Sequence, residues 1–206
     1  MAPRFFYFDI GNVLLWFDPE RLARQVGQVA GISAERVWDA VYETDLSQQL
    51  ECGKISSREL FAAFCRQTGT QPDFAAFLRA AASIFELNVP LVPIVAHLRA
   101  AGHRLGLLSN TNEVHWNYMN DGRYTIFRRC FECHVLSFQV GAMKPDAEIF
   151  HAAVRRAGVP PSEVFFVDDR EENVEGARRV GIDAVRFVNA THLAQELRRR
   201  GVQFNY

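Results

Sequence analysis

The fold of this chain is decided by the stretch Arg4-Phe5-Phe6-Tyr7-Phe8-Asp9-Ile10-Gly11-Asn12-Val13. Residues 5–8 are apolar and show no polar alternation, which is typical of a strand buried on both faces of a parallel sheet. Asp9 closes this strand, and Gly11 lets the backbone turn sharply or approach a ligand closely. Ligands of open α/β sheets bind at the carboxyl ends of the strands. Asp9 is therefore a candidate for chemistry, although a strand followed by Asp and a Gly turn also describes many ordinary loops.

The second half of the chain alternates strands with helices. Strands are predicted over residues 104–109, 131–137, 163–167 and 183–188, each nearly continuous in apolar residues. Helices are predicted over residues 91–101, 145–158 and 171–180, with one more after the last strand. This alternation predicts an α/β fold with a Rossmann-like, doubly wound parallel sheet. The first strand belongs to the same sheet, because nothing in the segment after it offers a partner.

The segment between the first strand and this alternating half is predicted to be helical. Residues 13–17 could form a short hairpin or flap, and from there to about Leu87 helix follows helix with no convincing strand. Helix-start signals recur at Asp18-Pro19, Ser33, the capping box Ser56–Glu59, and Asp73. The last helix carries its apolar residues at helical spacing through Phe85. The sequence thus predicts an all-helical cap domain over residues 16–87, inserted into a core domain of residues 1–15 and 88–206.

Composition excludes several classes of protein. The 206 residues are 49% hydrophobic and 23% charged, with a net charge of −1, so nothing favours nucleic acid or an anionic membrane as a partner. The basic run at residues 198–200 closes a predicted helix and is typical of a solvated helix end. No apolar run reaches the roughly 18 residues of a membrane span, and no basic region followed by an apolar one opens the chain. We expect a cytoplasmic monomer or homodimer.

The cysteines do not predict a metal or haem site. The four of them fit reduced thiols. Residues 130–134 spell the Cys-x-x-Cys-His pattern of c-type haem attachment, but that chemistry requires export. A zinc site would need two further ligands, and the chain has no second close pair of cysteines.

Polar side chains follow the ends of the predicted strands. Asp9 follows the first strand, residues 109–112 (Ser-Asn-Thr-Asn) follow the next, Lys144 precedes a helix start, and Asp168 and Asp169 follow a third strand. Singly, each is explained as a helix cap or a solvated cation. Together at one sheet edge, three carboxylates, one lysine and hydrogen-bond donors beside a helix start favour a Mg²⁺-dependent site for phosphoryl transfer.

In their order and spacing, these stretches resemble the haloacid dehalogenase superfamily. The resemblance rests on residues 8–13, 108–111, 144–145 and 166–169, together with Asn173 and Ala177. It covers the whole chain, including a helical cap inserted after the first strand. Within the superfamily the chain looks most similar to the branch of bacterial glucose-1-phosphate phosphatase and the N-terminal phosphatase domain of soluble epoxide hydrolase, and residues 51–56 of the cap contribute to that likeness.

The resemblance implies a phosphatase that acts on a small phosphorylated metabolite, such as a sugar phosphate. By its match to the family pattern, Asp9 attacks phosphorus and forms an aspartyl-phosphate. Ser109 and Asn110 are expected to hold phosphate oxygens, and Lys144 to neutralise charge between nucleophile and phosphoryl group. Electrostatics agrees, because an anionic carboxylate cannot approach a phosphate dianion unless cations offset the repulsion.

The resemblance also implies Mg²⁺ as cofactor. Its expected ligands are the carboxylates of Asp9 and Asp169 and the backbone carbonyl of Gly11. Asp168 is expected nearby, bonded to the waters of the metal. A donor set made only of oxygen suits this hard cation on chemical grounds as well.

Gly11 departs from the pattern of most phosphatases of the family, which carry a second Asp there as general acid and base. Such catalysis contributes about 10²–10⁴-fold, whereas enzymes gain roughly 10⁶-fold or more in total. Its loss is expected to slow turnover without abolishing it, least for weakly basic leaving groups such as those of sugar 1-phosphates and acyl phosphates. Asp18, Glu51, Glu113 and His115 are candidates to replace it, although each is also explained as a structural or solvent-facing residue.

Two other functions stay open at this point. A 2-haloacid dehalogenase of the same superfamily needs no acid, because halide leaves unprotonated. It also needs no metal, however, which leaves the pair Asp168-Asp169 without a purpose. A phosphate-binding or scaffolding protein could have kept the fold and lost turnover, which Gly11 permits and the intact Asp9, Lys144 and Asp169 oppose.

The substrate depends on the cavity between cap and core, where the sequence is least informative. Four residues are candidates to line it: Trp16, Phe17, His115 and Trp116. Large aromatic side chains at such an interface are as often packing residues, so the sequence does not choose between the two roles.

Overall fold

Five strands form one parallel sheet with the first strand at its centre. The structure, a computed structural model, describes residues 2–205. Within them lie the strands β1 (Phe5–Phe8), β2 (Leu15–Phe17), β3 (Phe85–Leu87), β4 (Arg104–Ser109), β5 (Cys133–Leu136), β6 (Val164–Asp168) and β7 (Asp183–Arg186). The sheet has the order β5-β4-β1-β6-β7, and its neighbouring strands run parallel. The predicted α/β class with a Rossmann-like sheet is confirmed.

Helices cover both faces of the sheet and fill the segment between β2 and β3. That segment contains α1 (Pro19–Ala30), α2 (Ala34–Val41), α3 (Leu46–Glu51), α4 (Ser57–Thr68) and α5 (Phe74–Ala82). The remaining helices are α6 (Val92–Ala100), α7 (Glu113–Met119), α8 (Thr125–Cys130), α9 (Ser137–Val140), α10 (Ala147–Ala157), α11 (Glu171–Arg179) and α12 (Ala190–Arg199). None of the helices in residues 2–205 has the length and apolar character that a membrane crossing requires.

The two faces of β1 pack into two different apolar layers, because successive side chains of a strand point to opposite sides. Phe6 and Phe8 lie in a layer with side chains of α6 and α12. Phe5 and Tyr7 lie in the other layer, with side chains of α10 and α11. All four are fully buried. This double burial explains why the strand shows no polar alternation, as predicted.

The segment between β2 and β3 is a helical bundle with an apolar core of its own. Val26, Val37, Phe64 and Phe77 lie in that core. The predicted helix starts carry the expected side-chain caps, at Asp18, Ser33 and Asp73 and in the capping box of Ser56 and Glu59. The division of the chain into a cap of residues 16–87 and a discontinuous core remains a prediction.

The prediction of a helix running through Phe85 is wrong. α5 ends at Ala82, and Phe85–Leu87 forms β3, which pairs antiparallel with β2 so that Phe17 lies opposite Phe85. A strand of three residues is too short to show a period of two, and its partner is distant along the chain, so the local pattern gives no strand signal. The flap considered for residues 13–17 is one half of this β2–β3 ribbon.

Arg199 and Arg200 form ion pairs, and the pair of Arg200 with Asp183 connects the end of α12 to β7. Arg200 lies 2.5 Å from Asp183 and 2.7 Å from Glu196. Arg199 lies 2.5 Å from the other carboxylate oxygen of Glu196. These contacts agree with the prediction that the basic run at residues 198–200 belongs to a helix end.

The four cysteines are free thiols. Cys130 ends α8 and Cys133 begins β5, so the Cys-x-x-Cys-His segment crosses from a helix into the sheet. The thiol of Cys133 lies 3.7 Å from the hydroxyl oxygen of Tyr7, and burial raises the pKa of this thiol.

Candidate active site

Three carboxylates meet at the carboxyl ends of β1 and β6. Asp9 follows β1, Asp168 is the last residue of β6, and Asp169 comes next. Because the two strands are neighbours in the sheet, one oxygen of each side chain lies within 4.8 Å of the others. Asp168 is fully buried, Asp9 nearly so, and Asp169 half-buried. Within residues 2–205, this is the one group of three acidic, His or Cys side chains with a spacing that suits a metal ion.

Lys144 reaches into this acidic cluster from the loop before α10. Its Nζ lies 2.8 Å from Oδ1 of Asp9 and 2.5 Å from Oδ2 of Asp168, and it donates to the carbonyl of Leu108 at 3.2 Å. The three donors of the ammonium group thus have three partners. Burial lowers the pKa of Lys144, but the carboxylates of Asp168 and Asp9 raise it by more. The group therefore stays charged.

The charge of the cluster suits a cation. Burial raises the pKa of Asp9 to about 7, against the opposing effect of Lys144 and with a further increase from Asp168. Burial raises the pKa of Asp169 as well. When ionised, three carboxylates face one ammonium group, which leaves excess negative charge. A hard divalent cation such as Mg²⁺ fits both this excess and the oxygen-only set of donors.

Asp168 and Asp169 differ in how far their oxygens are already occupied. Oδ1 of Asp168 accepts from the backbone N–H of Arg170 at 2.9 Å and from Nδ2 of Asn173 at 3.0 Å, and Oδ2 accepts from the lysine. The side chain of Asp169 accepts from Nδ2 of Asn12 at 3.1 Å. Asp169 therefore keeps more acceptor capacity for a metal, which favours the prediction that it is a direct ligand.

Asn12 positions the side chain of Asp169. In the sequence it stood out only as one residue of the stretch 8–13 that resembles the family pattern. Its backbone is left-handed, with φ at 54°, a conformation that Asn tolerates better than most residues other than Gly. The turn directly after Gly11 brings the Asn12 amide to Asp169. Asn173, likewise noted only for the resemblance, holds Asp168. The sequence did contain a signal for the left-handed turn at Asn12, because Asn directly after Gly at the end of a strand is a residue that favours such turns.

The side chain of Asn110 binds protein backbone rather than standing free for a ligand. Its Oδ1 accepts from the backbone N–H of Lys144 at 2.8 Å, and its Nδ2 donates to the carbonyl of Lys144 at 2.9 Å. It thereby fixes the loop that carries the lysine. Ser109 is buried, with its hydroxyl oxygen 3.3 Å from the carbonyl of Asn110. Phosphate binding by Ser109 and Asn110 remains a prediction, to which Asn110 would contribute its backbone.

A cavity of about 290 Å³ lies between this sheet edge and the helical bundle. Its floor is formed by Ile10, Gly11, Ser109, Asn110 and Thr111. The walls are formed by Phe17, Pro19, Trp38, Tyr42, Ser47, Glu51, Ile84, Phe85, His115 and Met119. The cavity therefore connects the strand ends beside the acidic cluster to side chains of the bundle and the β2–β3 ribbon.

The space beside Gly11 is occupied by an aromatic ring. A Cβ atom at this position would lie 3.2 Å from Cε1 and 3.4 Å from Cδ1 of Phe17. These distances are at or inside close van der Waals contact, so any larger residue requires the ring to shift. Because Gly11 has no side chain, the ring of Phe17 in the cavity wall can lie directly against the floor at this position.

Comparison with known proteins identifies the family. A family model for haloacid dehalogenase-like hydrolases matches residues 4–181. The chain belongs to this family. The match spans the β1 strand, the helical bundle and every site residue described above, from Asp9 to Asn173. The predicted resemblance is confirmed.

Several relatives with similar sequences are phosphatases. A D-ribitol-5-phosphate phosphatase of Bacteroides thetaiotaomicron is 27% identical over 92% of this chain and 94% of its own length. A glyceraldehyde 3-phosphate phosphatase of Methanopyrus kandleri is 26% identical over 87% of this chain and 82% of its own. A crystal structure of a family enzyme from B. thetaiotaomicron in complex with magnesium and inorganic phosphate has a TM-score of 0.79 and 27% identity, covering 93% of this chain and 99% of that one.

Two of the four candidate acid–base residues of this hydrolase are engaged at helix starts. Asp18 accepts from the backbone N–H of Arg21 at 2.9 Å and pairs with Arg24 at 3.2 Å. Glu113 accepts from the backbone N–H of Ser57 at 2.9 Å, where α4 begins. Neither carboxylate lines the cavity, so neither is placed to exchange protons with a ligand there.

His115 lines the cavity, but its ring nitrogens are engaged. Its Nδ1 accepts from Nδ2 of Asn112 at 3.1 Å, and the ring also hydrogen-bonds to the backbone of Ala81. Burial lowers the pKa of His115 to about 4. The ring is therefore neutral at physiological pH and serves to join α7 to α5.

Glu51 is the remaining candidate, and it lines the same cavity as Gly11. It is the last residue of α3. Burial raises the pKa of Glu51, while the positive charges of Arg170 and Lys144 lower it. No side chain or backbone group within residues 2–205 forms a hydrogen bond with the Glu51 carboxylate, so this carboxylate is available to a ligand.

The four aromatic candidates for the cavity divide evenly. Phe17 and His115 line it. Trp16, on the same ribbon as Phe17, is 46% exposed and does not line it. Trp116 is buried and stacks on Phe127 with ring centroids 6.1 Å apart, so it is a packing residue.

Proposed function

We propose that this hydrolase is a Mg²⁺-dependent phosphatase that cleaves the monoester of a small phosphorylated metabolite through an aspartyl-phosphate on Asp9. The observation that carries the proposal is the cluster of Asp9, Lys144, Asp168 and Asp169 at the edge of the sheet, beside a cavity of ligand size. The relatives support it, since two are phosphatases of small phosphorylated compounds and a solved relative holds magnesium and phosphate.

The metal would be held by the carboxylates of Asp9 and Asp169 and the backbone carbonyl of Gly11. Asp168 lies behind them and holds Lys144 in place. When bound, Mg²⁺ supplies positive charge that offsets the charge of the phosphoryl group and keeps Asp9 ionised.

Asp9 is the nucleophile of the proposed reaction. A bond forms between its carboxylate oxygen and phosphorus as the bond from phosphorus to the leaving oxygen breaks. Lys144 orients Asp9 and stabilises the charge that develops on the phosphoryl oxygens. Ser109 and the backbone of Asn110 would bind the same oxygens. Water then attacks the aspartyl-phosphate, which releases inorganic phosphate and restores the Asp9 carboxylate.

Glu51 is the residue best placed to move protons in this reaction. The leaving oxygen must gain a proton and the attacking water must lose one, and Gly11 has no side chain for either task. Glu51 lines the cavity beside Gly11, and burial raises its pKa. A raised pKa increases the protonated fraction of the carboxyl, which is the form that can act as general acid.

The proposed function is tested by phosphate release from p-nitrophenyl phosphate. We expect release with Mg²⁺ and none after chelation by EDTA. Asp9→Asn should reduce the rate to background, because an amide is not a nucleophile. Asp18→Asn is the matched control and should keep the rate, since Asn also caps helices well. Full activity of Asp9→Asn would overturn the assignment of the nucleophile.

Two further measurements separate the alternatives. Metal-independent release of chloride from 2-chloropropionate would support a dehalogenase. Binding of a phosphate analogue without turnover of any phosphorylated metabolite in a broad panel would support a phosphate-binding or scaffolding protein. The acidic pair Asp168-Asp169 favours the phosphatase over both.

A further inference from the structure

The walls of the cavity differ in chemistry from its floor. The floor offers the hydroxyl and backbone groups of residues 109–111 to a phosphate. Above it, most of the wall is aromatic or aliphatic, formed by Phe17, Trp38, Tyr42, Ile84, Phe85 and Met119. The rings of Trp38 and Tyr42 are tilted by 32° with centroids 4.5 Å apart, and those of Phe17 and Phe85 lie 6.4 Å apart across the β2–β3 ribbon.

Few polar groups of this wall are available to a ligand. His115 is neutral and engaged with Asn112 and Ala81. The other polar groups of the wall are the hydroxyls of Ser47 and Tyr42, the indole N–H of Trp38 and the carboxyl of Glu51, and the lining contains no Lys or Arg side chain. A polyol or sugar carries a hydroxyl on nearly every carbon, and each one buried without a partner loses its hydrogen bonds to water. An apolar ring has no such requirement.

Phe17 brings an aromatic face close to the reacting end of the cavity. Its ring packs against the backbone of Gly11, two residues after the nucleophile. Gly11 and Phe17 line the same cavity, so a leaving group that extends from the floor into this cavity comes within reach of the ring. Phe17 is 40% exposed and lies on a strand of only three residues, so its face is open to a ligand.

The size of the cavity limits the leaving group. Its volume of about 290 Å³ is at the lower end of the roughly 300–1,000 Å³ typical of ligand sites. After a phosphate is placed, the remaining space suits one or two fused rings rather than a nucleotide.

We propose that the preferred substrate is an aryl phosphate, the monoester of a phenol with one or two rings, and that Phe17 determines this preference. The inference rests on the proposed phosphatase function and specifies its substrate class. Hydrolysis breaks the bond from phosphorus to the phenolic oxygen and forms one from phosphorus to a water oxygen, and the proton lost by water appears on the phenol. Phenolate is weakly basic, which suits a site without an acid at Gly11.

Binding, rather than rate, gives the cleanest test, because aryl phosphates also react faster by themselves. With Mg²⁺ present, calorimetry compares benzylphosphonate with 3-hydroxypropylphosphonate, which are not hydrolysed. We expect benzylphosphonate to bind about tenfold more tightly, because its ring makes aromatic contacts with the wall that the hydroxypropyl group cannot make. Equal affinity, or a preference for the hydroxylated compound, would overturn the proposal.

Variants then assign the preference to Phe17. Phe17→Ala should reduce the affinity ratio of the two phosphonates to about threefold or less, whereas Trp16→Ala, on the same ribbon but outside the cavity, should leave it unchanged. An unaltered ratio in Phe17→Ala would refute the role of this residue. Circular dichroism checks that both variants are folded.

The phosphatase assay distinguishes failure of this inference from failure of the proposed function. Hydrolysis of D-ribitol 5-phosphate or glycerol 3-phosphate with a higher kcat/KM than 1-naphthyl phosphate would refute the aryl preference and keep the phosphatase. If no phosphate ester is hydrolysed, the proposed function fails, and the phosphonate affinities still decide whether the cavity selects aromatic ligands.

Discussion

The acidic cluster lies beside the cavity that the aromatic wall lines, and the two regions are held in place by different forces. In the cluster, Lys144 has three hydrogen-bond partners and Asp168 accepts three bonds, all within the buried interior. In the wall, Phe17 lies on a three-residue strand and is 40% exposed. The cluster is built on central strands of a parallel sheet, whereas the wall is built on a short ribbon and on helices of the bundle.

This difference separates chemistry from specificity. Buried charges are tolerated only when each is paired, so the geometry of the cluster is constrained by the cost of leaving any of its groups unpaired. An exposed aromatic residue carries no such penalty and can be replaced with little loss of stability. We therefore expect changes in the cluster to affect folding and catalysis together, and changes in the wall to affect the choice of substrate.

The largest effect is expected from Lys144→Met. Removing the ammonium group leaves the carboxylates of Asp9 and Asp168 buried together without a counter-charge, which should destabilise the protein by about 3–5 kcal/mol and abolish phosphatase activity. Urea unfolding in EDTA measures the first effect. Lys54→Met, at an exposed residue after α3, should change stability by less than about 0.5 kcal/mol. Equal stability of the two variants would show that the cluster is not held as proposed.

A smaller and substrate-dependent effect is expected from Glu51→Gln. For an alkyl phosphate, whose leaving oxygen needs a proton, kcat/KM, which reports formation of the aspartyl-phosphate and not its hydrolysis by water, should fall about 10²-fold. For p-nitrophenyl phosphate the loss should stay below about tenfold, because nitrophenolate leaves unprotonated. Steady-state kinetics with both esters measures the ratio, with Glu43→Gln at an exposed residue as control. The same loss for both esters would exclude Glu51 as the general acid.

Gly11 and Phe17 lie where cluster and wall meet, and a double-mutant cycle tests their contact. Gly11→Ala places a methyl group 3.2 Å from the ring of Phe17, so kcat/KM for 1-naphthyl phosphate should fall about threefold to tenfold. In the Phe17→Ala background the same change should be nearly neutral, a coupling of roughly 1 kcal/mol. If the effects of Gly11→Ala and Phe17→Ala on kcat/KM were additive, the position of the Phe17 ring would not depend on the absence of a side chain at position 11.

The smallest effect is expected from Glu196→Gln, in the ion pairs at the end of α12. Hydrogen bonds from Arg200 and Arg199 hold the pKa of Glu196 below its usual value, so its contribution is present at neutral pH and is lost as the pH falls through that lowered pKa. We expect a loss of up to about 1 kcal/mol at pH 7, which decreases as the pH falls below the ordinary pKa of a glutamate and disappears below the lowered pKa of Glu196. A difference that persists in acid would contradict the ion-pair explanation.

Local patterns were sufficient for much of the molecule. The unbroken apolar run of β1 predicted burial on both faces, and Asp18, Ser33 and Asp73 predicted helix starts, because caps depend on neighbours within one turn. The positions of Asp9, Lys144 and the pair Asp168-Asp169 at strand ends followed from the topology of parallel sheets.

Features that depend on distant partners were not accessible in this way. β3 was assigned to a helix because its pairing partner β2 is separated from it by the entire bundle. Asn110 was expected at the phosphate, while its side chain binds the backbone of Lys144, 34 residues further along. Nothing local to Gly11 indicated that the ring of Phe17 fills the adjacent space.

The amino-acid sequence alone was enough to predict the parallel sheet, the helical segment that follows the first strand and the polar side chains that meet at the sheet edge, since these follow from hydrophobic periodicity and from the placement of polar residues at strand ends and helix starts. Tertiary structure was needed to show which partners those side chains have. Hydrogen bonds, charge pairs and ring contacts form between elements far apart in the chain and depend on distances of a few ångströms. At Gly11, the sequence showed a missing carboxylate, and the folded chain showed the aromatic ring that lies beside it.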